Sequence, residues 1–352
     1  LTSANDRYGQ IRILTVMLLL PLLLPLLPAC TPQAEKPVVV IYVSVDQVYA
    51  EPILKRFEEQ TGIRVLAVYD VEASKTTGLV NRLIAEQGQP QADVFWSGEF
   101  VQTLLLQQEG VLTPYASPES TSLPDHLVDP NHYWTAFGGR ARVILINTDR
   151  ILLSEAPRGL ADFLDPRWQP ERIGLANPLF GTTCTHAAAL YAIQGPAVAR
   201  QFFADLAGRG VRILDGNSVV RDMVAAGQLD FGLTDTDDAC GALANGAPVA
   251  IIYPDQDSTG TLVIPNTVAL IAGGPHPQEG RLLIDYLLSP SVEAALISSG
   301  WFQIPTRTEA TAPAVGTGCL DSLPQRMITV PLADIYHQLE AAKSDLTEIY
   351  LR

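Results

Sequence analysis

The densest group of candidate ligands in the chain is an acidic segment, Leu233-Thr234-Asp235-Thr236-Asp237-Asp238. The segment follows a short apolar run predicted as a strand and precedes a helix-like run over residues 239–244. Carboxylates this close would repel one another in a closed cleft unless a cation binds between them or one is protonated. Because carboxylate oxygens bind hard cations, Asp235, Asp237 and Asp238 are predicted to hold a metal or another cation. The structural alternative is that Asp237 or Asp238 caps the following helix.

A second group of residues is suited to binding an anion. Two polar segments, residues 181–185 and 217–218, each lie at the predicted start of a helix, where backbone N–H groups and hydroxyls bind oxyanions. Two arginines lie at a predicted crossing between the halves of the chain and could add a bidentate contact. The structural alternative for both segments is ordinary helix capping. The candidate anion-binding residues are Thr182, Thr183, Asn217, Ser218, Arg140 and Arg142.

Two further carboxylates, Asp46 and Glu99, each follow a predicted strand within a few residues. Cleft residues of α/β proteins lie just beyond the carboxyl ends of strands, so both are candidate cation ligands. For each of them the alternative is a carboxylate that caps the next helix or lies in its first turn.

Alternating strands and helices are predicted to position these residues. From Val38 onward, β-branched runs and amphipathic stripes predict three strand–helix pairs over residues 38–109, an order typical of a mostly parallel sheet with helices on both faces. The pattern restarts at Arg142, and two segments, near residues 138–144 and 254–263, are predicted to cross between the halves. We therefore expect an α/β fold of two lobes with the ligand cleft between them. The expected boundaries are 38–140 with 262–352 for the first lobe and 141–261 for an inserted second lobe.

The first thirty residues have the pattern of an export signal. Arg7 and Arg12 precede an apolar run, Ile13–Leu27, that is short for a membrane-spanning helix. The run ends in Leu27-Pro28-Ala29-Cys30, which resembles a bacterial lipoprotein signal in which Cys30 becomes the lipidated N-terminus. The alternative is simple cleavage with release. Residues 31–37 are predicted as a tether, and we expect the protein in the periplasm or at the cell surface as a membrane-anchored lipoprotein.

Composition excludes several functional classes. The chain has 352 residues, and because 47% of them are apolar we do not expect a disordered protein. Its net charge of −15 argues against a nucleic-acid binder. It has five histidines and neither an H-x-x-x-H nor a G-x-S-x-G motif, so we expect no enzyme and no catalytic cofactor. Three cysteines remain beyond Cys30, namely Cys184, Cys240 and Cys319, and a Cys184–Cys240 disulfide is one arrangement that the predicted turns allow.

Three motifs, in order, resemble those of bacterial extracellular solute-binding proteins. The stretch Phe57–Val65 (F-E-E-Q-T-G-I-R-V) is similar to the F-E-x-x-T-G-I-x-V pattern of that family, Ala92–Trp96 to its A-D-V strand, and Gly139–Val143 to its crossing segment. The resemblance covers most of residues 38–310 and is strongest to the ferric-ion-binding group of ABC importers. It implies a monomeric, two-lobed periplasmic-binding-protein fold (type II) that closes on a ligand and delivers it to an ABC permease with its ATPase.

The resemblance also implies roles for individual residues. The ferric-binding group has two adjacent tyrosine ligands where this chain has Asp237 and Asp238, a histidine ligand where it has Asp46 or Gln47, and a glutamate ligand near Glu99. Its synergistic anion would bind at the segments that contain Thr182 and Asn217. The chain therefore departs from the group at the tyrosine pair, and hard carboxylate ligands replace the phenolates.

Three classes of ligand stay open at this point. The first is Fe³⁺ or another hard metal with a phosphate- or carbonate-like anion. The second is a phosphonate such as 2-aminoethylphosphonate, with its phosphonate at Thr182 and Thr183 and its ammonium at the aspartates. The third is an organic cation such as a polyamine or thiamine, for which five aromatic residues could form walls: Tyr42, Trp96, Tyr133, Trp134 and Tyr253.

Overall fold

The β-branched run that opens the described chain forms β1 (Val38–Val43), which lies between two parallel neighbours in the sheet. The structure is a computed structural model that describes residues 36–70, 78–298, 301–307, 319 and 323–351. The predicted export signal, its Cys30 and most of the predicted tether lie outside the described residues. Residues Lys36–Arg352 group as one compact unit, and within the described residues no helix is long and apolar enough to cross a membrane.

The element bounds are as follows. The remaining strands are β2 (Arg64–Tyr69), β3 (Val94–Ser97), β4 (Leu112–Thr113), β5 (Thr135–Asn147), β6 (Ile173–Ala176), β7 (Arg212–Leu214), β8 (Phe231–Asp235), β9 (Val249–Ile252) and β10 (Val263–Ile271). The helices are α1 (Gln47–Thr61), α2 (Gly78–Ala85), α3 (Val101–Gln108), α4 (Gly181–Gln194), α5 (Pro196–Arg209), α6 (Asn217–Ala225), α7 (Thr236–Ala244), α8 (Pro277–Leu287), α9 (Pro290–Ser298) and α10 (Leu332–Tyr350).

The strands follow the order β2-β1-β3-β10-β5-β8-β6-β7, with β4 on β10 and β9 on β5. The outer strands pair in parallel, as β-α-β connections require, whereas β10 and β5 run antiparallel to their neighbours. We call β1–β4 with β10 the first-lobe sheet and β6–β9 the second-lobe sheet. This is a two-lobed α/β architecture of the kind that the sequence predicts.

Alternating side chains explain how the first-lobe sheet is covered on both faces. Val39, Ile41 and Val43 of β1 point to one face and pack with α1 and α8, while Tyr42 points to the other face and packs near α2 and α3. A strand buried on both faces has to be apolar throughout, which accounts for the unbroken β-branched run. Gly62 ends α1 in the left-handed conformation (φ 73°), as the sequence predicts.

Strand β5 connects the two sheets. Its first half pairs with β10, and from Arg142 onward it pairs with β8 and β9. The two strands approach closely at Gly139, where an added Cβ would lie 2.8 Å from Val263 Cγ1 and 3.0 Å from the Ile264 carbonyl oxygen. The predicted crossing near 138–144 lies within β5, and the predicted boundary at 140/141 lies next to the residue where β5 changes partners.

The terminal helix α10 packs mainly on α4 and α5, which lie in the segment predicted as the second lobe. Ala342 and Leu346 of α10 are buried, and Tyr191 on α4 donates a hydrogen bond to Asp345 at 2.9 Å. Residues 262–352 were expected to belong wholly to the first lobe. We propose instead a division in which α10 is part of the second lobe and the other predicted boundaries are kept.

The cysteines differ from the predicted arrangement. Cys240 on α7 forms a disulfide with Cys319, and Cys184 on α4 is a buried free thiol. The Cys184–Cys240 pairing is therefore wrong. Burial raises the pKa of the Cys184 thiol to about 11, which disfavours the reactive thiolate.

Candidate functional site

The carboxyl ends of strands from both sheets surround an open cleft of about 500 Å³. Most of the predicted site residues line it: Asp46, Arg140, Thr182, Asn217, Ser218, Asp235, Asp237 and Asp238. Gly181, which begins the predicted anion-binding segment 181–185, also lines the cleft, and four further lining residues were not among the candidates: Ser44, Val45, Gly98 and Trp301. Three predicted residues, Glu99, Thr183 and Arg142, are buried and are not among the lining residues.

A buried ion pair forms the floor of the cleft. Arg142 is fully buried, and its Nη1 donates to Asp235 Oδ1 at 2.6 Å. The same nitrogen donates to Thr182 and Asn217, each at 3.0 Å, and Nη2 donates to Thr183 at 3.1 Å. Arg142 therefore holds the candidate anion-binding side chains in place from below. The predicted direct contact between Arg142 and the anion does not fit this buried position.

The register of two strands explains this pair. Arg142 on β5 lies opposite Asp235 on β8, so both side chains lie on the same face of the sheet. Asp235 occupies the N-cap position of α7, yet its carboxylate makes no capping bond and accepts from Thr182 at 2.7 Å and Asn217 at 2.9 Å. Although burial opposes ionisation, the charges of Arg142 and Arg140 and the Thr182 hydrogen bond lower the pKa of Asp235.

The other two aspartates also face arginines. Arg140 on β5 lies 3.5 Å from Asp237, and Arg221 on α6 donates to Asp238 at 2.8 Å. Asp237 and Asp238 are in the first turn of α7, where negative charge favours the helix dipole. Carboxylates this close need a nearby cation or a proton, and three arginines from two other elements supply positive charge there.

Asp238 is nevertheless difficult to ionise. Burial and the charges of Asp237 and Asp235 raise the pKa of Asp238 to about 7, against the opposing effect of Arg221. Burial likewise raises the pKa of Asp237. The protonation of Asp238 therefore changes near neutral pH.

We expect the titration of Asp238 to appear in stability. Its folded pKa lies above the usual value of 3.8, so its stabilising contribution is complete below about pH 4 and is lost as the pH rises through about 7. Asp238→Asn should therefore lose less unfolding free energy than the wild type between about pH 5 and pH 8, measured by urea denaturation. Asp222→Asn, which removes the exposed partner of the same Arg221, should behave like the wild type. An equal pH slope in wild type and Asp238→Asn would contradict the assignment.

Glu99 fits the capping alternative. Its carboxylate accepts hydrogen bonds from the backbone of Val101 and Gln102 at the start of α3, and Thr185 on α4 donates to it at 3.2 Å. Burial raises the pKa of Glu99 in spite of the nearby Arg140 charge and these hydrogen bonds. Glu99 therefore lies next to the start of α3 and links the first lobe to α4 through Thr185.

Two helix starts face the cleft and suit an oxyanion. Helix α4 begins at Gly181 and α6 begins at Asn217, and neither N-cap residue, Phe180 or Gly216, contributes a capping side chain. Backbone N–H groups at a helix start carry partial positive charge and bind anions. With the hydroxyls of Thr182 and Ser218, they form a polar surface across the cleft from Asp46.

The predicted aromatic walls are wrong. Tyr42, Trp96 and Trp134 are buried in the core, Tyr133 packs against the core, and Tyr253 lines a separate depression with Arg158 and Asp255. Trp301 is the aromatic residue that lines the cleft, and its ring stacks on that of Tyr49 at 5.3 Å. No sequence signal pointed to Trp301, because it lies far from the motifs in the chain. An organic cation thus loses most of its predicted support.

Metal ligands are not preassembled in this conformation. Among the described residues, no three His, Cys, Asp or Glu side chains lie close enough together to hold a metal ion. A metal cargo would consequently need ligands from an accompanying anion, from a further movement of the lobes, or from both.

Comparison with known proteins identifies relatives of this architecture. The family described as bacterial extracellular solute-binding protein matches residues 89–319. The iron uptake protein A1 of Synechocystis is 23% identical over 258 residues, 70% of this chain and 69% of that protein. The major ferric iron-binding protein of Neisseria meningitidis is 26% identical over 60% of this chain and 62% of its own length. A putative 2-aminoethylphosphonate-binding periplasmic protein of Salmonella typhi is 24% identical over 66% of this chain and 68% of its own.

Solved structures agree on the fold. The ferric binding protein from Campylobacter jejuni superposes with a TM-score of 0.78 at 22% identity, covering 89% of this chain and 99% of that one. The Trichodesmium protein IdiA (FutA), in complex with iron and citrate, superposes with a TM-score of 0.79 at 21% identity, covering 90% and 100%. At these identities the likeness concerns the fold.

Proposed function

The chain belongs to the bacterial extracellular solute-binding proteins, and we propose that it captures Fe³⁺ or another hard cation together with an oxyanion for an ABC importer. The observation that carries this proposal is the composition of one cleft. Asp46 from the first lobe faces Asp237 and Asp238 from the second, beside the helix starts at Gly181 and Asn217. Hard cations take oxygen ligands, and helix starts take oxyanions, so both parts of such a cargo have suitable partners.

We propose that the accompanying anion supplies more of the metal ligands here than it would in a site with two phenolate ligands. Two aspartates stand where the ferric-binding group has its tyrosines, and both already face arginines. A polydentate anion such as citrate can supply oxygen ligands that the protein does not. The Synechocystis and Neisseria relatives support iron as the metal, since their names specify it.

Thermal stabilisation tests the proposal directly. A ligand at a hundredfold excess over its Kd stabilises the folded state by about 2.7 kcal/mol. We expect Fe³⁺ with citrate or phosphate to raise the Tm of the purified protein, and Mn²⁺, spermidine and thiamine alone to raise it less. An Asp237→Ala, Asp238→Ala double variant should lose the ferric response, while an Asp149→Ala, Asp257→Ala variant with two exposed carboxylates removed should keep it. A normal response in the first double variant would reduce Asp237 and Asp238 to residues of the helix start.

An organic phosphonate is the second candidate, and one observation favours it. Arginines pair with Asp235, Asp237 and Asp238, so these three carboxylates have positively charged partners without a metal. A phosphonate would bind at Thr182 and the helix starts, and an ammonium would lie near Asp237. The 2-aminoethylphosphonate-binding relative is consistent with this arrangement. A Tm shift with 2-aminoethylphosphonate and none with any ferric–anion mixture would show that the cargo is the phosphonate and not iron.

The remaining parts of the proposal concern location and partners. We propose that the protein acts outside the cytoplasm, held to the membrane by a lipid on Cys30, and that it closes around its cargo through β5 and β10. Delivery would be to an ABC permease with its ATPase, as for the family. Radiolabelled palmitate incorporation into the wild type but not into Cys30→Ser would establish the lipid.

A further inference from the structure

Arg140 contributes a partly exposed positive charge to the cleft. It is the only cationic side chain among the described residues that line the cleft, and its side chain is 21% exposed. It lies on β5, two residues before the buried Arg142 and next to the point where β5 changes partners. A cargo that enters between the lobes therefore meets this guanidinium.

The contacts of Arg140 join the two lobes. Nη2 donates to the Gly98 carbonyl oxygen, in the turn after β3, at 3.3 Å, and Nη1 lies 3.5 Å from Asp237 on α7. Nε is buried and has no hydrogen-bond partner in the described part of the chain. A guanidinium carries five N–H donors, so this one has donors to spare for a bound anion.

The other two arginine–aspartate pairs lack these properties. Arg142 binds Asp235 at 2.6 Å and is fully buried, and Arg221 is not among the residues that line the cleft. The Arg140–Asp237 contact is the longest of the three and is in reach of a cargo. A bound ion can therefore replace one partner of the Arg140–Asp237 pair.

We infer that Arg140 selects the cargo by its charge. Its guanidinium pairs with Asp237 and so opposes the binding of a bare cation, whereas the anion of an anion-bearing cargo binds the guanidinium in place of Asp237. The inference rests on the proposed function, because it specifies in which form a hard cation enters the cleft. A bare cation meets the repulsion of Arg140 and must compete for Asp237. A cation that arrives with an oxyanion offers Arg140 a new partner and releases Asp237 as a ligand.

Changes of opposite sign in two affinities provide the test. Tb³⁺ is the probe for a bare hard cation, because emission sensitised by Trp301 reports its binding in the cleft, and inorganic phosphate and citrate are the anion probes for calorimetry. In Arg140→Gln we expect the affinity for Tb³⁺ to rise and that for citrate or phosphate to fall, each by about tenfold or more. Arg140→Lys, which keeps the charge, should retain most of the anion affinity.

Two further variants separate this role from general damage to the cleft. Arg140→Gln, Asp237→Asn should show no gain in Tb³⁺ affinity, since the released carboxylate is missing. Arg167→Gln removes an arginine that pairs with Asp165 on the surface, and it should change neither affinity. A fall in both affinities in Arg140→Gln, or no change in either, would overturn the inference.

The experiment also distinguishes this inference from the proposed function. If the wild type binds phosphate or 2-aminoethylphosphonate but no ferric–citrate, iron is not the cargo, while opposite shifts in Arg140→Gln still support the role of Arg140. If the wild type binds ferric–citrate and Arg140→Gln binds Tb³⁺ no better than the wild type does, the proposed function stands and the role of Arg140 is rejected.

Discussion

Arg142→Met is expected to lower the free energy of unfolding by about 3–5 kcal/mol, because it leaves the Asp235 carboxylate buried without its ionic partner. The guanidinium also donates to Thr182, Thr183 and Asn217, which lose this donor together. Burying a charge without a partner costs far more than an exposed pair gains. Urea denaturation followed by circular dichroism measures the loss.

A matched pair elsewhere provides the control. Arg172 binds Asp230 at 2.7 Å, close to the Arg142–Asp235 distance, but these side chains are 25% and 20% exposed. Arg172→Met should cost much less, since water solvates the carboxylate that remains. Adding Asp235→Leu to Arg142→Met should recover part of the loss, because the unpaired charge is then removed. Equal losses in Arg142→Met and Arg172→Met would contradict the buried-charge argument.

Loss of the Cys240–Cys319 disulfide is expected to destabilise the protein by up to about 4 kcal/mol in a Cys240→Ser, Cys319→Ser variant. The two cysteines are 79 residues apart, and a cross-link that closes a long loop removes much conformational freedom from the unfolded chain. A reducing agent should lower the urea midpoint of the wild type to that of the double variant.

Cys184→Ser is the control for this prediction. Its thiol is free, so the variant should keep the full response of the wild type to reducing agent. Cys240 lies on α7, the helix that begins with Asp237 and Asp238, and its partner anchors that helix to the C-terminal part of the chain. A wild-type midpoint that reducing agent leaves unchanged would show that the disulfide does not contribute to stability.

Local patterns in the sequence predict much of the fold. The β-branched run predicts β1, Gly62 predicts the end of α1, and the strand–helix pairs predicted over residues 38–109 match the order from β1 to α3. Strand β5 starts at Thr135, earlier than the predicted Arg142, because Gly138 and Gly139 interrupt the local pattern. Pairing with β10 keeps this part of the chain extended, and such pairing is invisible in a short window of sequence.

The sequence predicts where the site residues lie, but it does not predict which arginines pair with the aspartates. Strand ends and helix starts predict that Asp46, Thr182 and Asp237 lie close together, and all three line one cleft. The buried pair depends on the register of β5 against β8, which joins Arg142 to Asp235 across 93 positions. The spacing of residues in a sequence does not determine the register between distant strands, so the arginine partners could not be predicted from the sequence.

The position of α10 has a consequence for how the polypeptide matures. This nineteen-residue helix covers α4, whose Ala187, Ala188 and Tyr191 are buried within the folded protein. During synthesis or N-terminus-first export, the apolar surface of α4 stays uncovered until the last helix has emerged. Helix α4, which carries Thr182 and Thr183, is thus covered only after α10 has been synthesised.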